Sequence, residues 1–332
     1  MKKALLVGIN YKGIPGAALN GCINDIVNIS EVLIDSYDYE SRNITQLRDD
    51  IANPAFLPTR ANILAGLNAL VAQSANLSEI WFHYSGHGSQ VRDTNMDEAD
   101  RLDEILVPLD FQRSGFIVDD EIFNIVKNSK CKTILIFDSC HSGSVCDLQW
   151  GYQYVNGSLM KSMATNKIIN NPNIFCFSGC KDPETSADAY SREKQMGVGA
   201  FTDTFIRCLT LNRMNVDILK LYSDICVSIK QSGFTQSPSF SSSSPSPLYK
   251  FVRVNNTPVV ENNVRVLDTT SSAPTRATAS APAVVKPVVS TRDIINFQVK
   301  IDIPPSIENA LNTVVFAFNQ YKKKPNKVKM AL

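Results

Sequence analysis

Hydrophobic and polar positions along this chain follow two periods. Residues 4–9, 80–84, 133–137 and 174–177 are runs of apolar, aromatic or β-branched side chains with almost no polar alternation. Strands covered on both faces of a parallel sheet read this way. Between them, residues 22–37 place Ile23, Ile26, Val27, Ile29, Val32 and Leu33 near helical spacing, and Thr59 caps a second helix carrying Ile63, Leu64, Leu67, Leu70 and Val71 on one face. Asp119 and Asp120 open a helix that runs to Val126, with carboxylates at its positive end. Residues 201–211 and 216–230 also predict helices. Residues 43–47 predict a short strand, 248–252 a sixth strand of the sheet, and 105–108 with 116–118 a hairpin turning around Arg113, Ser114 and Gly115. Residues 147–173 are of mixed polarity and predict a surface connection, and 237–247 a Ser/Pro loop. Strands alternating with helices predict a layered α/β domain with a mostly parallel sheet.

The character of the chain changes at 255. Residues 255–291 are dominated by Thr, Ser, Ala, Pro and Val and bury too little to offset their ordering entropy, so they predict a linker. Residues 292–332 form a short C-terminal extension, with alternation at Phe297, Val299, Ile301 and Ile303, an amphipathic piece and a basic tail. The folded domain is thus expected over 1–254. A net charge of +1 over 332 residues gives no electrostatic case for nucleic acid or a membrane surface. The eight cysteines contain no CxxC pair, and several sit in apolar runs, as reduced core residues of a cytoplasmic protein would. The apolar run after Lys3 is too short for a signal peptide, and no stretch reaches the ~18 apolar residues of a membrane span.

Chemistry enters where two buried strands break into small polar residues. One runs into Ser85-Gly86-His87-Gly88-Ser89, the other into Asp138-Ser139-Cys140-His141-Ser142-Gly143. Open α/β sheets bind ligands at the carboxyl ends of their strands, so a His and a Cys are delivered to one edge. A nearby imidazole favours the thiolate and later protonates a leaving amine. The backbone N–H groups of Gly88 and Cys140 would form an oxyanion hole. Each residue also has a plainer reading. His83 would face the sheet, His141 would be a neighbour of the nucleophile, and Asp25 would cap its own helix. Asp93, Asp97, Glu98 and Asp100 would be solvated, Cys131, Cys146, Cys176, Cys208 and Cys226 would pack, and Cys180 has no assigned role.

Tyr84 to Gly88 and Asp138 to Gly143 together resemble the two catalytic motifs of metacaspases, the caspase-like peptidases, and His87 and Cys140 stand at about the 50-residue spacing of the caspase arrangement. Gly21-Cys22-Ile23-Asn24-Asp25 resembles an early motif of that family. Ser178 to Asp182 with Thr185 to Ala189 resembles its small-subunit motif, and Gln236-Ser237-Pro238 the segment before its last strand. The resemblance is to type I members, without their N-terminal prodomain.

It implies a caspase-like three-layer sandwich with a central, mostly parallel sheet of six strands or slightly more. The domain would divide into a large-subunit-like part (1–160), a connection (161–172) and a small-subunit-like part (173–254). It further implies His87 as general acid and base, Cys140 as nucleophile, and a pocket of Cys22, Asp25, Ser85 and Asp138 taking Arg or Lys. Activating Ca²⁺ would bind Asp103, Asp119, Asp120 and Asp147 at millimolar concentration. A monomer cutting itself at Lys161 or Lys167 is expected. A catalytically silent scaffold and a calcium-independent, paracaspase-like peptidase stand as alternatives.

Overall fold

Parallel strands need connections long enough to carry the chain back to the same end of the sheet, and helices supply them. The computed structural model describes residues 1–92, 102–139, 146, 148–179, 188–191, 196–234 and 236–254. In its first half each buried strand is followed by such a return: β1 (Lys2–Gly8), α1 (Cys22–Tyr37), β2 (Ile44–Arg48), α2 (Arg60–Gln73) and β3 (Glu79–Ser85). A small antiparallel unit follows, with β4 (Gly88–Arg92), β5 (Leu102–Leu106), the single turn α3 (Phe111–Ser114) and β6 (Ile117–Val118), leading into α4 (Asp119–Val126). Then come β7 (Lys132–Asp138), the hairpin β8 (Trp150–Val155) and β9 (Ser158–Met163), and β10 (Ile174–Ser178). A ribbon of β11 (Asp188–Ser191) and β12 (Met196–Gly199) runs into α5 (Ala200–Leu211), β13 (Val216–Asp217), α6 (Ile218–Gln231), β14 (Ser239–Ser242) and β15 (Lys250–Phe251).

Eight strands form the central sheet in the order β2-β1-β3-β7-β10-β14-β8-β9. The first five are mutually parallel. The last three alternate antiparallel, so β8 again points with the majority. Three expectations need correction. Residues 250–251 pair with β13 instead of joining the sheet. The sheet position expected for them is filled by β14, four residues of the stretch expected to be a Ser/Pro loop. The surface connection 147–173 contains the β8–β9 hairpin, which extends the sheet by two strands, and Lys161 lies inside β9 opposite Tyr152.

Alternate residues of each strand serve opposite layers, as the two-residue period of a strand requires. Leu5, Val7, Phe82, Tyr84, Leu135 and Phe137 pack with α2 and α4. Leu6, Trp81, Ile134, Ile136, Phe175 and Phe177 pack with α1, α5 and α6, where Phe205 meets Trp81 and Phe177 edge to face at centroid distances of 6.1 and 5.4 Å. The result is the helix-sheet-helix sandwich expected. No helix among the described residues is long and apolar enough to cross a membrane.

Candidate active site

The carboxyl ends of four parallel strands are stapled to one another by backbone hydrogen bonds. Ile9 N–H donates to Ser85 O (3.0 Å), Gly86 N–H to Asp138 O (3.3 Å) and Gly179 N–H to Phe137 O (2.8 Å). β3 and β7 pair in register from Glu79↔Lys132 to Ser85↔Asp138. His87 therefore lies two residues past Ser85, and Cys140 comes two residues past Asp138 in sequence. Cys140 itself lies outside the described residues, as do His141, Asp147, Cys180 and the resemblance segments 180–187, together with Asp93, Asp97, Glu98, Asp100 and everything from 255 onward.

His87 is held on three sides. Its Nε2 is 2.8 Å from Ala17 O, and because a carbonyl only accepts, Nε2 carries the proton and the lone pair is on Nδ1. Its backbone N–H donates to Tyr11 Oη (3.0 Å), and the Tyr11 ring lies 4.7 Å from the imidazole, centroid to centroid. Tyr84 Oη donates to His87 O at 2.8 Å. A Cβ on Gly86 would stand 2.8 Å from Tyr84 Oη and 3.0 Å from Tyr11 Oη, which is why the loop needs glycine there. Desolvation lowers the His87 pKa below 6.5, opposed by the hydrogen bond to Ala17. Tyr11, at φ 52° and fully buried, and Ala17 are contributors that sequence reasoning missed. A carbonyl leaves no signal in a sequence.

Val107 N–H donates to His87 O (3.1 Å), so the β4–β5 hydrogen-bonding phase extends one position past Gly88, with His87's own N–H diverted to Tyr11 Oη. Hydrogen-bonded pairs alternate with non-bonded ones, so the N–H of Gly88, opposite Leu106, faces away from β5.

The proposed pocket residues do converge. Asp25, in the first turn of α1 and 0 % exposed, accepts from Ser85 Oγ (2.6 Å) and from Gly199 N–H (2.8 Å). Asp138, 4 % exposed, accepts through Oδ2 from both Thr202 N–H (2.9 Å) and Thr202 Oγ1 (2.8 Å). Cys22 is buried one helical turn before Asp25 on α1. The two carboxylates flank Gly199: a Cβ there would overlap Asp138 Oδ2 and lie 2.7 Å from Asp25 Oδ2. Gly199 is the N-cap of α5 and Thr202 its third residue, so orphan N–H groups of a helix start satisfy the acids. Thr202 and Gly199 were not anticipated. The run Gly197-Val198-Gly199-Ala200, small residues ahead of a helix, was the one available hint.

Thr202 also bonds His83, whose Nε2 is 3.3 Å from Thr202 Oγ1. His83 is a core residue as expected, but with a polar partner. Burial pushes its pKa down to about 3. An unfolded histidine titrates near 6.5, so the folded state binds fewer protons as pH drops below that value, and stability present above pH 6.5 is lost toward pH 3. Comparing His83→Leu with the parent by urea unfolding, the parent should lose about 2 kcal/mol more between pH 6.5 and 5. Equal slopes would mean that His83 is not buried neutral.

β5 and β6 pair antiparallel as far as Ile105↔Val118, with Asp103 and Glu104 just before that pair on β5 and Asp119 and Asp120 just after it at the start of α4. Asp103 and Asp119 are buried, and Asp120 carries Lys167 Nζ at 3.2 Å. Hard carboxylate donors fit a calcium-like cation in kind. Among the described residues, no three His, Cys, Asp or Glu side chains converge into a metal-holding group. Lys161 Nζ donates to Pro245 O (2.8 Å). The six described cysteines are free thiols.

Comparisons with known proteins identify relatives of this chain. The sequence model described as "Metacaspase, peptidase C14 domain" matches residues 2–149. Metacaspase-1 of Cryptococcus neoformans is 38 % identical over 256 residues, covering 63 % of this chain and 55 % of that protein. Metacaspase-1 of Scheffersomyces stipitis is 33 % identical over 292 residues, covering 74 % of this chain and 71 % of that one. The chain spans little more than half the length of the Cryptococcus relative. A solved Geobacter sulfurreducens protein superimposes with a TM-score of 0.50 at 23 % identity, over 74 % of this chain and 94 % of that one, and shares the fold. With a relative 33 % identical and matched over 71 % of its length, this chain belongs to the metacaspase family.

Proposed function

We propose that the chain is a cysteine endopeptidase cutting after Arg or Lys, with Cys140 as nucleophile and His87 as general acid and base. The observation that carries this is the pair of buried carboxylates, Asp25 and Asp138, flanking Gly199 at the strand ends that lead to His87 and Cys140. A guanidinium or ammonium offers the positive charge and multiple donors that such a pair accepts, whereas an acidic side chain would be repelled. Ser85 and Cys22 complete the wall.

The Cys140 thiolate would bond to the scissile carbonyl carbon, and the oxyanion would be met by the N–H groups of Gly88 and Cys140. The C–N bond then breaks as imidazolium gives its Nδ1 proton to the departing amine. Water next loses a proton to Nδ1 as its oxygen bonds the acyl carbon, and the S–C bond breaks to release the acid.

Asp103, Asp119, Asp120 and Asp147 would hold activating Ca²⁺, which when bound supplies positive charge to carboxylates beside the segment after the nucleophile. The chemistry of the donors supports this, since hard carboxylate oxygens suit Ca²⁺. For self-processing, Lys167 is the better placed of the two lysines. It follows the β9 strand, whereas Lys161 would have to be unpaired from β8.

The test uses the full-length chain with fluorogenic peptides ending in Arg, Lys or Asp, in millimolar Ca²⁺ or EGTA, and Cys140→Ala as blank. Release from the Arg and Lys peptides alone, and only with Ca²⁺, is expected. Equal turnover in EGTA overturns the calcium requirement in favour of a paracaspase-like peptidase. Absence of turnover from every peptide leaves a binding scaffold. A Cys140→Ala protein that still fragments when purified alone disposes of self-cleavage.

A further inference from the structure

His83 lies in β3 between Phe82 and Tyr84, fully buried, beside Leu6 of β1 and Ile136 of β7. An imidazole in such a layer costs desolvation that a leucine would not. Its Nδ1 meets no hydrogen-bond partner among the described residues, so its polar contact is the one from Nε2 to Thr202 Oγ1. On the same face of the sheet, two residues along, stand Ser85 and its register partner Asp138.

The Thr202 hydroxyl has a single proton, and the carboxylate of Asp138, 2.8 Å away, can only accept it. With that proton committed, the hydroxyl oxygen faces His83 as an acceptor, and His83 Nε2 is the donor. Donation therefore runs one way, from His83 to Thr202 to Asp138. The backbone N–H of Thr202 reaches the same Asp138 oxygen at 2.9 Å, so one residue supplies two donors to one oxygen. A carboxylate gripped in this way keeps one rotamer and one charge state, as supporting hydrogen bonds do for other charged ligands of a site.

We propose that Thr202 is a specificity-determining positioning residue, holding the Asp138 carboxylate in place for a cationic substrate side chain, and that His83 points the Thr202 hydroxyl proton at it. This rests on the Arg/Lys pocket proposed above. Thr202 touches no reacting atom. Its effect is on recognition, so loss of its hydroxyl weakens binding of a positive side chain while leaving the bond-breaking steps alone.

The experiment compares two fluorogenic peptides, one ending in Arg and one in citrulline, its neutral isostere, with the full-length chain in millimolar Ca²⁺. Thr202→Val exchanges hydroxyl for methyl and keeps the backbone donor. It should reduce the Arg-to-citrulline ratio of kcat/KM about tenfold, through KM, with kcat within about twofold. Thr202→Ser should restore the ratio. His83→Leu should lower it by a smaller factor, about threefold, and carries the test if Thr202→Val fails to fold. A Thr202→Val or His83→Leu protein that keeps the parent ratio overturns the proposal, as does a loss confined to kcat. Asp138→Asn is measured alongside. If it too keeps the parent ratio, the cationic pocket itself has failed; if it collapses the ratio while Thr202→Val does not, only the role of Thr202 has failed.

Discussion

His87→Ala is expected to lower kcat toward an Arg-terminated peptide by about 10³-fold, within the range that a positioned general acid and base contributes. The size follows from how completely the ring is committed. Ala17 O takes the Nε2 proton, Tyr11 Oη fixes the backbone N–H, and the Tyr11 ring lies along the imidazole. Nδ1 is therefore the one ring atom free to exchange a proton. Because desolvation leads the shift of His87 below 6.5, the neutral base persists to lower pH than an ordinary histidine allows. The acid limb of the kcat profile should accordingly fall below pH 6.5, read by steady-state assays from pH 5 to 8. A loss under tenfold, or an acid limb above 7, would remove His87 from the role assigned to it.

The second large effect is expected at Gly199, a position with no chemistry of its own. Its backbone, at φ −68° and ψ 134°, suits any residue, so Gly199→Ala introduces no torsional strain. The added methyl would instead collide with Asp138 Oδ2 while standing 2.7 Å from Asp25 Oδ2. Neither acid can yield easily, because Thr202 grips one and Ser85 the other. Either the carboxylates swing off their donors or α5 moves away from the sheet. The variant should lose about 100-fold in kcat/KM for the Arg peptide and 1–3 kcal/mol of stability by urea unfolding, the usual cost of overpacking. Parent-like values for both would mean the two acids do not meet across this glycine.

How far the sequence foretold this depends on what each element is made of. β1, β3, β7 and β10 were legible because they are covered on both faces and so read as unbroken apolar runs. α1, α2 and α4 were legible to the residue or nearly so, since Thr59 caps α2 through Asn62 N–H and acidic residues open α4. β14 was not, because three of its four residues are serines, and Phe240 alone supplies the apolar contact. β9 is exposed along its whole length, so no burial pattern marked it as a strand. At the site, His87, Asp25, Ser85 and Asp138 could be named from local motifs. Thr202 could not: its bond to His83 spans 119 positions, and a threonine at a helix start has a local explanation that needs no partner.

The strand order has one further consequence for processing. β14 comes late in the chain yet is inserted between β10 and β8, and β7 pairs with β10. The polypeptide before Lys161 or Lys167 and the polypeptide after it are thus interleaved in a single sheet. A cut at either lysine would nick the molecule without parting it: two bands on a denaturing gel, one undivided particle on a sizing column.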